Sequence, residues 1–285
     1  VRTMIRYYRG RGGDRHNKTL SDRTYVGTGL RLPNSKLEPY ENFIIPKTQN
    51  RILALFDIHL PFHLIDVLEM ALQYGRDKKA NTVILGGDTV DLYEQSYFCK
   101  EPNIVTFREE REMFWRLLDM IDVYMPNAKV YWQEGNHERR FEKYLMQKAP
   151  EIYDTEEFEL KILFQCEAYG VEYIGGKRVI EVGKLRVLHG DEYGSGVFTP
   201  VNAARNLFLK AKACAMVGHF HATSEHTETD IDGKVITCWS VGCLCGLHPK
   251  YRPLNKWNHG FAYIEQQMDG NFNVHNHRIV KGKIV

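Results

Sequence analysis

The stretch NTVILGGDTVD, residues 81–91, joins a short apolar run to two glycines and two aspartates. An apolar run of this length that ends at glycine predicts a buried β-strand followed by a tight turn. Asp88 and Asp91 then stand just beyond the end of that strand. Segments before and after this stretch show the same sequence of a predicted strand followed by polar residues. We therefore predict the fold from this repeated pattern.

Neighbouring segments continue the alternation of strand and helix. RILALF (51–56) and AKVYWQEG (128–135) are further strand candidates. LIDVLEMALQYG (64–75) and FREEREMFWRLLDMIDVYM (107–125) have the apolar spacing of amphipathic helices. Since a β–α–β crossover is almost always right-handed and joins parallel strands, we predict a parallel sheet of adjacent strands in this half of the chain.

The second half of the chain has a different pattern. VEYIGGKRVIEVGKLRVLHG (171–190) contains β-rich runs punctuated by glycine, which predicts antiparallel pairs. VNAARNLFLKA (201–211) is a helix candidate. Two later hairpins are predicted at DIDGK (230–234) and QMDGN (267–271), because an Asp-Gly dipeptide supplies the positive φ of a tight turn.

Composition favours a soluble globular protein, with 285 residues and 43% hydrophobic residues. No apolar run approaches the roughly 20 residues of a membrane helix, and the N-terminus lacks the apolar part of a signal peptide. The six cysteines form no C-x-x-C pair, which favours free thiols over a disulfide framework or a zinc finger. We therefore expect an intracellular, cytoplasmic protein that does not contact a membrane.

Charge is unevenly distributed along the chain. The net charge is only +2, yet residues 1–50 contain ten Lys or Arg and four Asp or Glu. We predict a basic N-terminal arm over residues 1–45 and one folded domain over residues 46–285. Two interpretations of the arm stay open: it contacts nucleic-acid phosphates, or it is a solvated tail.

Each predicted strand of the core ends in a cluster of polar residues. Ligand sites of open α/β sheets gather beyond the carboxyl ends of the strands, so these clusters are expected to converge. Their members are Asp57, His59, Asp88, Asp91, Asn136, His137, His189, His219 and His221.

The spacing within these clusters favours metal binding. Residues two apart on an extended segment face the same side, so Asp57 and His59 can reach one point, as can His219 and His221. Mixed carboxylate, imidazole and amide ligands suit Mn²⁺, Fe²⁺ or Zn²⁺ better than Ca²⁺. There are more donors than one ion needs, which indicates two ions.

In this order, the motifs D-x-H, G-D-x-x-D, G-N-H-E, H-G-D and G-H-x-H resemble those of the calcineurin-like metallophosphoesterases over roughly residues 51–245. The resemblance implies an α/β fold, a four-layer αββα sandwich with two mixed sheets, and it makes residues 46–285 a catalytic domain. It also implies a dinuclear site at one edge of the sandwich.

Residue by residue, the resemblance implies a complete set of metal ligands. One ion would be bound by Asp57, His59 and His221, the other by Asn136, His189 and His219, with Asp88 as the bridge. The expected cofactors are two divalent transition-metal ions, with Mn²⁺ as the first choice and Fe²⁺ or Zn²⁺ as alternatives. A hydroxide held between the ions would attack phosphorus. His137 would protonate or stabilise the leaving oxygen, oriented by Asp91.

Two differences from the motifs of one subfamily make a protein Ser/Thr phosphatase an unfavourable prediction. Protein Ser/Thr phosphatases carry an Arg after G-D-x-x-D and another before G-N-H-E, whereas this chain has Leu92 and the sequence WQE at those places. Candidate substrate contacts are Arg139, Arg140, His63 and Tyr93. For the two arginines the alternative is exposure to water on a helix. Glu138 fits either a first-turn acid that matches the helix dipole or a brace for the site.

Several features favour hydrolysis of phosphodiester bonds in nucleic acid, by a nuclease, or in nucleotides. They are the basic arm, the 12% aromatic content and the run HPKYRPLNKWNHG (248–260), since single-stranded nucleic acid is bound by aromatic rings interleaved with cations. The alternatives are a phosphomonoesterase of small molecules or proteins and a non-catalytic metal-binding scaffold. The sequence makes no prediction of an oligomeric state.

Overall fold

The computed structural model describes residues 37, 39–102, 104–153, 155–193 and 201–285. The described helices and strands lie within the unit Tyr40–Val285. The strands are β1 Phe43–Ile44, β2 Arg51–Leu55, β3 Thr82–Gly86, β4 Lys129–Gln133, β5 Val171–Ile174, β6 Ile180–Val182, β7 Leu185–Leu188, β8 Ala215–Val217, β9 Ser224–Thr229, β10 Val235–Ser240, β11 His259–Gln266, β12 Phe272–Val280 and β13 Lys283–Ile284. The α-helices are α1 Ile65–Asp77, α2 Phe107–Tyr124, α3 Arg139–Lys148, α4 Leu160–Leu163 and α5 Ala203–Ala211, and 3₁₀ turns span Tyr93–Gln95 and Glu156–Phe158.

The first sheet has the strand order β13-β12-β11-β2-β3-β4-β5. Strands β2 to β5 are parallel, and β11, β12 and β13 complete the sheet in antiparallel pairs. The predicted parallel arrangement of the strands at 51–56, 81–87 and 128–135 is confirmed. Their carboxyl ends therefore meet at one edge of the sheet.

The second sheet has the order β1-β6-β7-β8-β10-β9. Strands β6 and β7 form an antiparallel pair, and so do β9 and β10, whereas the other pairs are parallel. Both sheets are thus mixed, as predicted. The hairpins predicted at 230–234 and 267–271 are confirmed, with φ of 80° at Gly233 and 84° at Gly270.

One strand departs from the prediction for residues 171–190. Strand β5 joins the first sheet parallel to β4, whereas an antiparallel pair was expected. The reason is the connection, because α3 and α4 lie between β4 and β5 and return the chain to start a parallel strand.

Three layers of core side chains separate four layers of structure. On β2, Leu53 and Leu55 pack towards the helices, whereas Ile52 and Ala54 pack between the sheets, as does Phe56 just after the strand, following the two-residue period of a strand. A third cluster joins helix α5 to the outer face of the second sheet. The αββα sandwich is therefore confirmed.

The range predicted as an N-terminal arm is described only at its end. Strand β1 pairs in parallel with β6, while residues 1–36 and 38 lie outside the described residues. All six cysteines are free. Among the described residues, no helix combines the length and apolar character needed to cross a membrane.

Candidate metal centre

The polar clusters that follow β2, β3, β4, β7 and β8 converge at the carboxyl ends of these strands. The backbone turns sharply at five of the predicted ligand positions, where φ is positive although none is glycine: Asp57 (53°), His59 (51°), Asp88 (50°), His219 (60°) and His221 (53°). Left-handed backbone is uncommon outside glycine and clusters at functional sites, where the surrounding structure holds it in place.

Hydrogen bonds between loops hold this backbone. The amide of Asp57 donates to Gly87 O at 3.2 Å, and the amide of His59 donates to Asp88 O at 2.9 Å. The amide of His219 donates to Asp57 Oδ2 at 2.8 Å, which ties the second sheet to the first. The loops after β2, β3 and β8 are therefore fixed relative to one another.

Asp57 presents a carboxylate oxygen that lacks an ordinary partner. Its Oδ1 atom is buried and has no hydrogen bond to any described residue. Nε2 of His221 lies 3.2 Å from this oxygen and Nε2 of His59 lies 3.9 Å from it, while the two Nε2 atoms are 3.3 Å apart. A cation among these atoms would satisfy all three.

Asp88 lies at the middle of the cluster. Its Oδ1 accepts a hydrogen bond from the His137 amide at 2.8 Å. Its Oδ2 lies 3.2 Å from His189 Nε2, 3.8 Å from His137 Nε2 and 3.9 Å from His59 Nε2. Burial would raise the pKa of Asp88, but the nearby His189 and His137 outweigh it and hold that pKa well below its usual range. Asp88 is thus an ionised carboxylate in reach of imidazoles from three loops.

His189 is oriented so that one ring nitrogen faces two acceptors. Its Nδ1 lies 3.1 Å from Gly86 O, which can only accept, so Nδ1 carries a proton in this contact. Nε2 then points at Asn136 Oδ1, 3.2 Å away, and at Asp88 Oδ2. A proton or a cation must lie among these three atoms, which is the environment of a metal ligand.

The described residues contain three groups of side chains with ligand atoms close enough to share an ion. They are His59, Asp88 and His137; Asp88, His189 and His219; and His59, His221 and Cys245. Asp88 belongs to two groups and His59 to two. The donor set therefore fits two divalent ions and indicates a dinuclear centre, and the structure brings together all seven residues predicted as ligands.

His137 and Asp91, predicted to act on the leaving group, lie beside this centre. His137 Nδ1 is 3.2 Å from Asp91 Oδ2 and 3.1 Å from Asp91 O. Burial lowers the pKa of His137, but the charges of Asp88 and Asp91 outweigh burial and raise it. Arg140 donates to Asp91 Oδ1 at 2.7 Å, and its other terminal nitrogen lies 3.0 Å from His137 Nε2. Asp91 thus holds His137 and Arg140 together.

Neither candidate arginine faces water, contrary to the alternative for helix charges. Arg139 is only 7% exposed and pairs with Glu134 and Asp191. Arg140 pairs with Asp91 at the metal centre. The loops after β4 and β7, which carry Glu134 and Asp191, cover helix α3 at Arg139. The loop after β3, which carries Asp91, covers the helix at Arg140.

The other two candidate substrate contacts lie at the border of the centre. His63 forms a β-bridge with Cys245, and burial lowers its pKa. The Tyr93 hydroxyl accepts a hydrogen bond from the Glu101 amide at 2.9 Å, and the Tyr93 ring packs on Phe62 at 5.8 Å. Both residues thus have structural contacts near the site.

Glu138 braces the centre. Its carboxylate is fully buried and accepts hydrogen bonds from the amides of Asp88 (2.9 Å), Gly135 (2.9 Å) and Thr89 (2.8 Å). It therefore locks the loop after β3 to the start of helix α3. Of the two interpretations of Glu138, the structure supports the brace.

We expect Glu138→Gln to lower the free energy of unfolding by about 2 kcal/mol, because the amide nitrogen would face a backbone N–H that loses its acceptor. Metal affinity should also fall, by about 10- to 100-fold, as for other residues that orient ligands. Urea unfolding and metal titration measure the two effects. Exposed Glu167 offers the matched control, Glu167→Gln, which should change neither. An unaltered Glu138→Gln protein would contradict the bracing role.

Two residues near the centre were not identified from the sequence. Cys245 Sγ lies 3.7 Å from His221 Nδ1, on the side of the ring opposite Asp57. The Trp257 ring packs against the His221 ring with centroids 4.1 Å apart. The sequence Cys243-Leu244-Cys245 does not have the spacing of a zinc finger. Only the folded loops show that the Cys245 thiol lies next to the predicted ligand His221.

Solved structures with a similar chain path include a single mutant of Vps29 from Entamoeba histolytica, with a TM-score of 0.43 and 13% identity over 82% of this chain and 96% of that chain. Vps29 from Cryptosporidium parvum has a TM-score of 0.42 and 16% identity, covering 83% and 94%. A dimetal phosphatase from Danio rerio has a TM-score of 0.41 and 12% identity, covering 81% and 96%.

The amino-acid sequence also has known relatives. The Gene 54 protein of Mycobacterium phage L5 is 26% identical over 228 residues, which are 75% of this chain and 88% of that protein. The model of the calcineurin-like phosphoesterase family matches residues 51–228, which contain all the predicted ligands. The chain therefore belongs to the calcineurin-like phosphoesterase family.

Proposed function

We propose that this protein is a metal-dependent phosphodiesterase that hydrolyses nucleic acid or nucleotides, with Mn²⁺ as its preferred ion. Membership of the family supports metal-dependent hydrolysis of phosphoesters. The observation that carries the proposal is the arrangement around Asp88, where the imidazoles of His59, His137 and His189, from three different loops, converge on one carboxylate.

The roles of the residues follow from this arrangement. Asp57, His59 and His221 would hold one ion, Asn136, His189 and His219 the other, and Asp88 both. The ions, when bound, supply Lewis-acid stabilisation of charge on the phosphoryl oxygens and activate water as the nucleophile.

His137 provides the proton for the leaving oxygen. Its Nδ1 donates to Asp91, which fixes the ring and leaves Nε2 on the side of Asp88. Burial lowers the pKa of His137, but the charges of Asp88 and Asp91 outweigh it and raise that pKa, which favours the protonated imidazole that a general acid requires. Arg140 donates to Asp91 Oδ1 and, since a guanidinium can only donate, also donates to His137 Nε2 at 3.0 Å, so the second contact must open before Nε2 can carry the proton.

The ion pairs of Arg139 and Arg140 favour a phosphodiester as the substrate. A phosphomonoester carries up to two negative charges at neutral pH and is commonly held by free guanidinium groups. Here Arg140 is engaged by Asp91, and Arg139 by Glu134 and Asp191. The singly charged phosphate of a diester needs fewer such contacts.

Charge outside the centre favours a nucleic-acid substrate. Residues 1–36 contain nine Lys or Arg and two Asp, and residues 248–258 contain three Lys or Arg and no acid. Lysine and arginine supply most of the affinity for a phosphate backbone.

A substrate panel tests the proposal. With Mn²⁺, we expect turnover of bis-p-nitrophenyl phosphate and of labelled DNA, and much slower turnover of p-nitrophenyl phosphate. Asp88→Asn protein purified in the same way is the control for contaminating enzymes. Faster hydrolysis of the monoester than of the diester would contradict the phosphodiesterase. Two bound ions by elemental analysis without turnover of any substrate would instead indicate a scaffold.

A further inference from the structure

Two loops form a continuous border on one side of the metal centre. Residues 93–102 follow Asp91, and residues 247–257 precede strand β11. Lys250 Nζ lies 3.0 and 3.1 Å from the two carboxylate oxygens of Glu101. The Glu101 amide in turn donates to the Tyr93 hydroxyl. The two loops are therefore joined across their tips.

This border is in contact with the predicted ligands. The Trp257 ring packs on His221, and the Asn258 amide donates to His221 O at 2.8 Å. At the tip of the same loop, the Tyr251 hydroxyl lies within electrostatic reach of Asp91 and Arg140. A chain whose phosphate occupies the centre would therefore run alongside these loops.

The border carries aromatic rings that the core does not use. Tyr97 is 71% exposed, Phe98 is 60% exposed and Tyr251 is 80% exposed. The Tyr97 and Phe98 rings pack on each other with centroids 4.2 Å apart and planes inclined by 33°. Large exposed apolar surface next to a functional site commonly marks a surface that binds a ligand.

Cations accompany these rings. The Arg252 guanidinium lies 5.9 Å from the centroid of the Trp257 ring. Lys250, Arg252 and Lys256 occur on the loop 247–257, which has no acid of its own. On the other loop, the Lys100 ammonium donates to the Glu94 backbone oxygen, while the Glu101 carboxylate pairs with Lys250. Rings and positive charges beside a phosphate site are the combination that binds single strands.

We propose that Tyr97, Phe98 and Tyr251 form a stacking surface for the bases of a single-stranded nucleic acid whose phosphate lies at the metal centre. This inference rests on the proposed phosphodiesterase activity and adds the selection of unpaired strands. In a duplex the faces of the bases are covered by their neighbours, so the stacking surface has nothing to bind. Single strands expose a π-face at every nucleotide.

Fluorescence anisotropy tests the stacking surface. The probe is a labelled single-stranded DNA of about 15 nucleotides with a phosphorothioate backbone that resists cleavage, compared with the same strand in a duplex. We expect the double variant Tyr97→Ala/Phe98→Ala and the variant Tyr251→Ala each to weaken single-strand binding by about 10-fold and to leave duplex binding unchanged. Tyr251→Leu, which keeps apolar bulk without an aromatic face, should behave as Tyr251→Ala does.

Tyr169, an exposed tyrosine in the turn before β5, offers the matched control, and Tyr169→Ala should bind both probes as the unmodified protein does. Equal losses for single strand and duplex, or single-strand binding unchanged in both alanine variants of the stacking surface, would overturn the inference. The proposed function fails separately, if the unmodified protein with two bound ions does not hydrolyse bis-p-nitrophenyl phosphate.

Discussion

Replacing Asp88 with Asn should lower phosphodiesterase turnover by about 10³-fold, which corresponds to roughly 4 kcal/mol of lost transition-state stabilisation. The reason is its position, since one carboxylate oxygen lies within 4 Å of ring nitrogens of His59, His137 and His189. An amide at this place is a weaker ligand and does not balance the charge of two cations. Elemental analysis should then find fewer than two ions per chain.

The fold should survive this substitution. The amide oxygen of Asn can still accept the hydrogen bond from the His137 amide, now made by Asp88 Oδ1. Asp122→Asn, at an exposed position of α2, is a matched control that should keep both ions and full turnover. An Asp88→Asn protein that binds two ions with unchanged affinity would remove Asp88 from the bridging role.

His137→Ala should have a different signature, with metal content near normal and turnover of substrates with poor leaving groups lowered by about 10²–10⁴-fold. The imidazole is held by Asp91, which is not a predicted ligand, so its loss should leave both ions in place. Hydrolysis of bis-p-nitrophenyl phosphate should fall less than hydrolysis of DNA, because nitrophenolate leaves without a proton.

His275→Ala, an exposed position on β12, is the control for loss of an imidazole and should change neither reading. Loss of an ion from His137→Ala would assign His137 to the ligands instead, together with His59 and Asp88, which it approaches. An equal loss of turnover for both classes of leaving group would contradict proton donation.

Much of the fold and of the candidate centre could be predicted from local pattern. Asp57, Asp88 and Asn136 each follow an apolar run, and the ends of parallel strands share one edge of a sheet. These facts sufficed to place the ligands together. The direction of β5 could not be found in this way, because it depends on the connection through α3 and α4 and not on the strand itself.

The supporting contacts could not be predicted because they join residues far apart in the chain. Glu138 binds backbone amides at Asp88 and Thr89, 50 and 49 residues away. Cys245 reaches His221 across a loop, and Arg140 reaches Asp91 from helix α3, 49 residues further along the chain. Charge and hydropathy patterns describe each of these side chains alone and contain no information about which loops meet.

The left-handed backbone at Asp57, His59, Asp88, His219 and His221 has a consequence for which substitutions evolution can accept. Asp, Asn and His adopt this conformation several-fold more often than other side chains, whereas β-branched residues rarely do. The same three residue types offer ligand atoms to divalent ions. Substitution by Val or Ile would thus both strain the backbone and remove a metal ligand. In a lineage that had lost catalysis, the strain alone would still select for Asp, Asn or His at these turns.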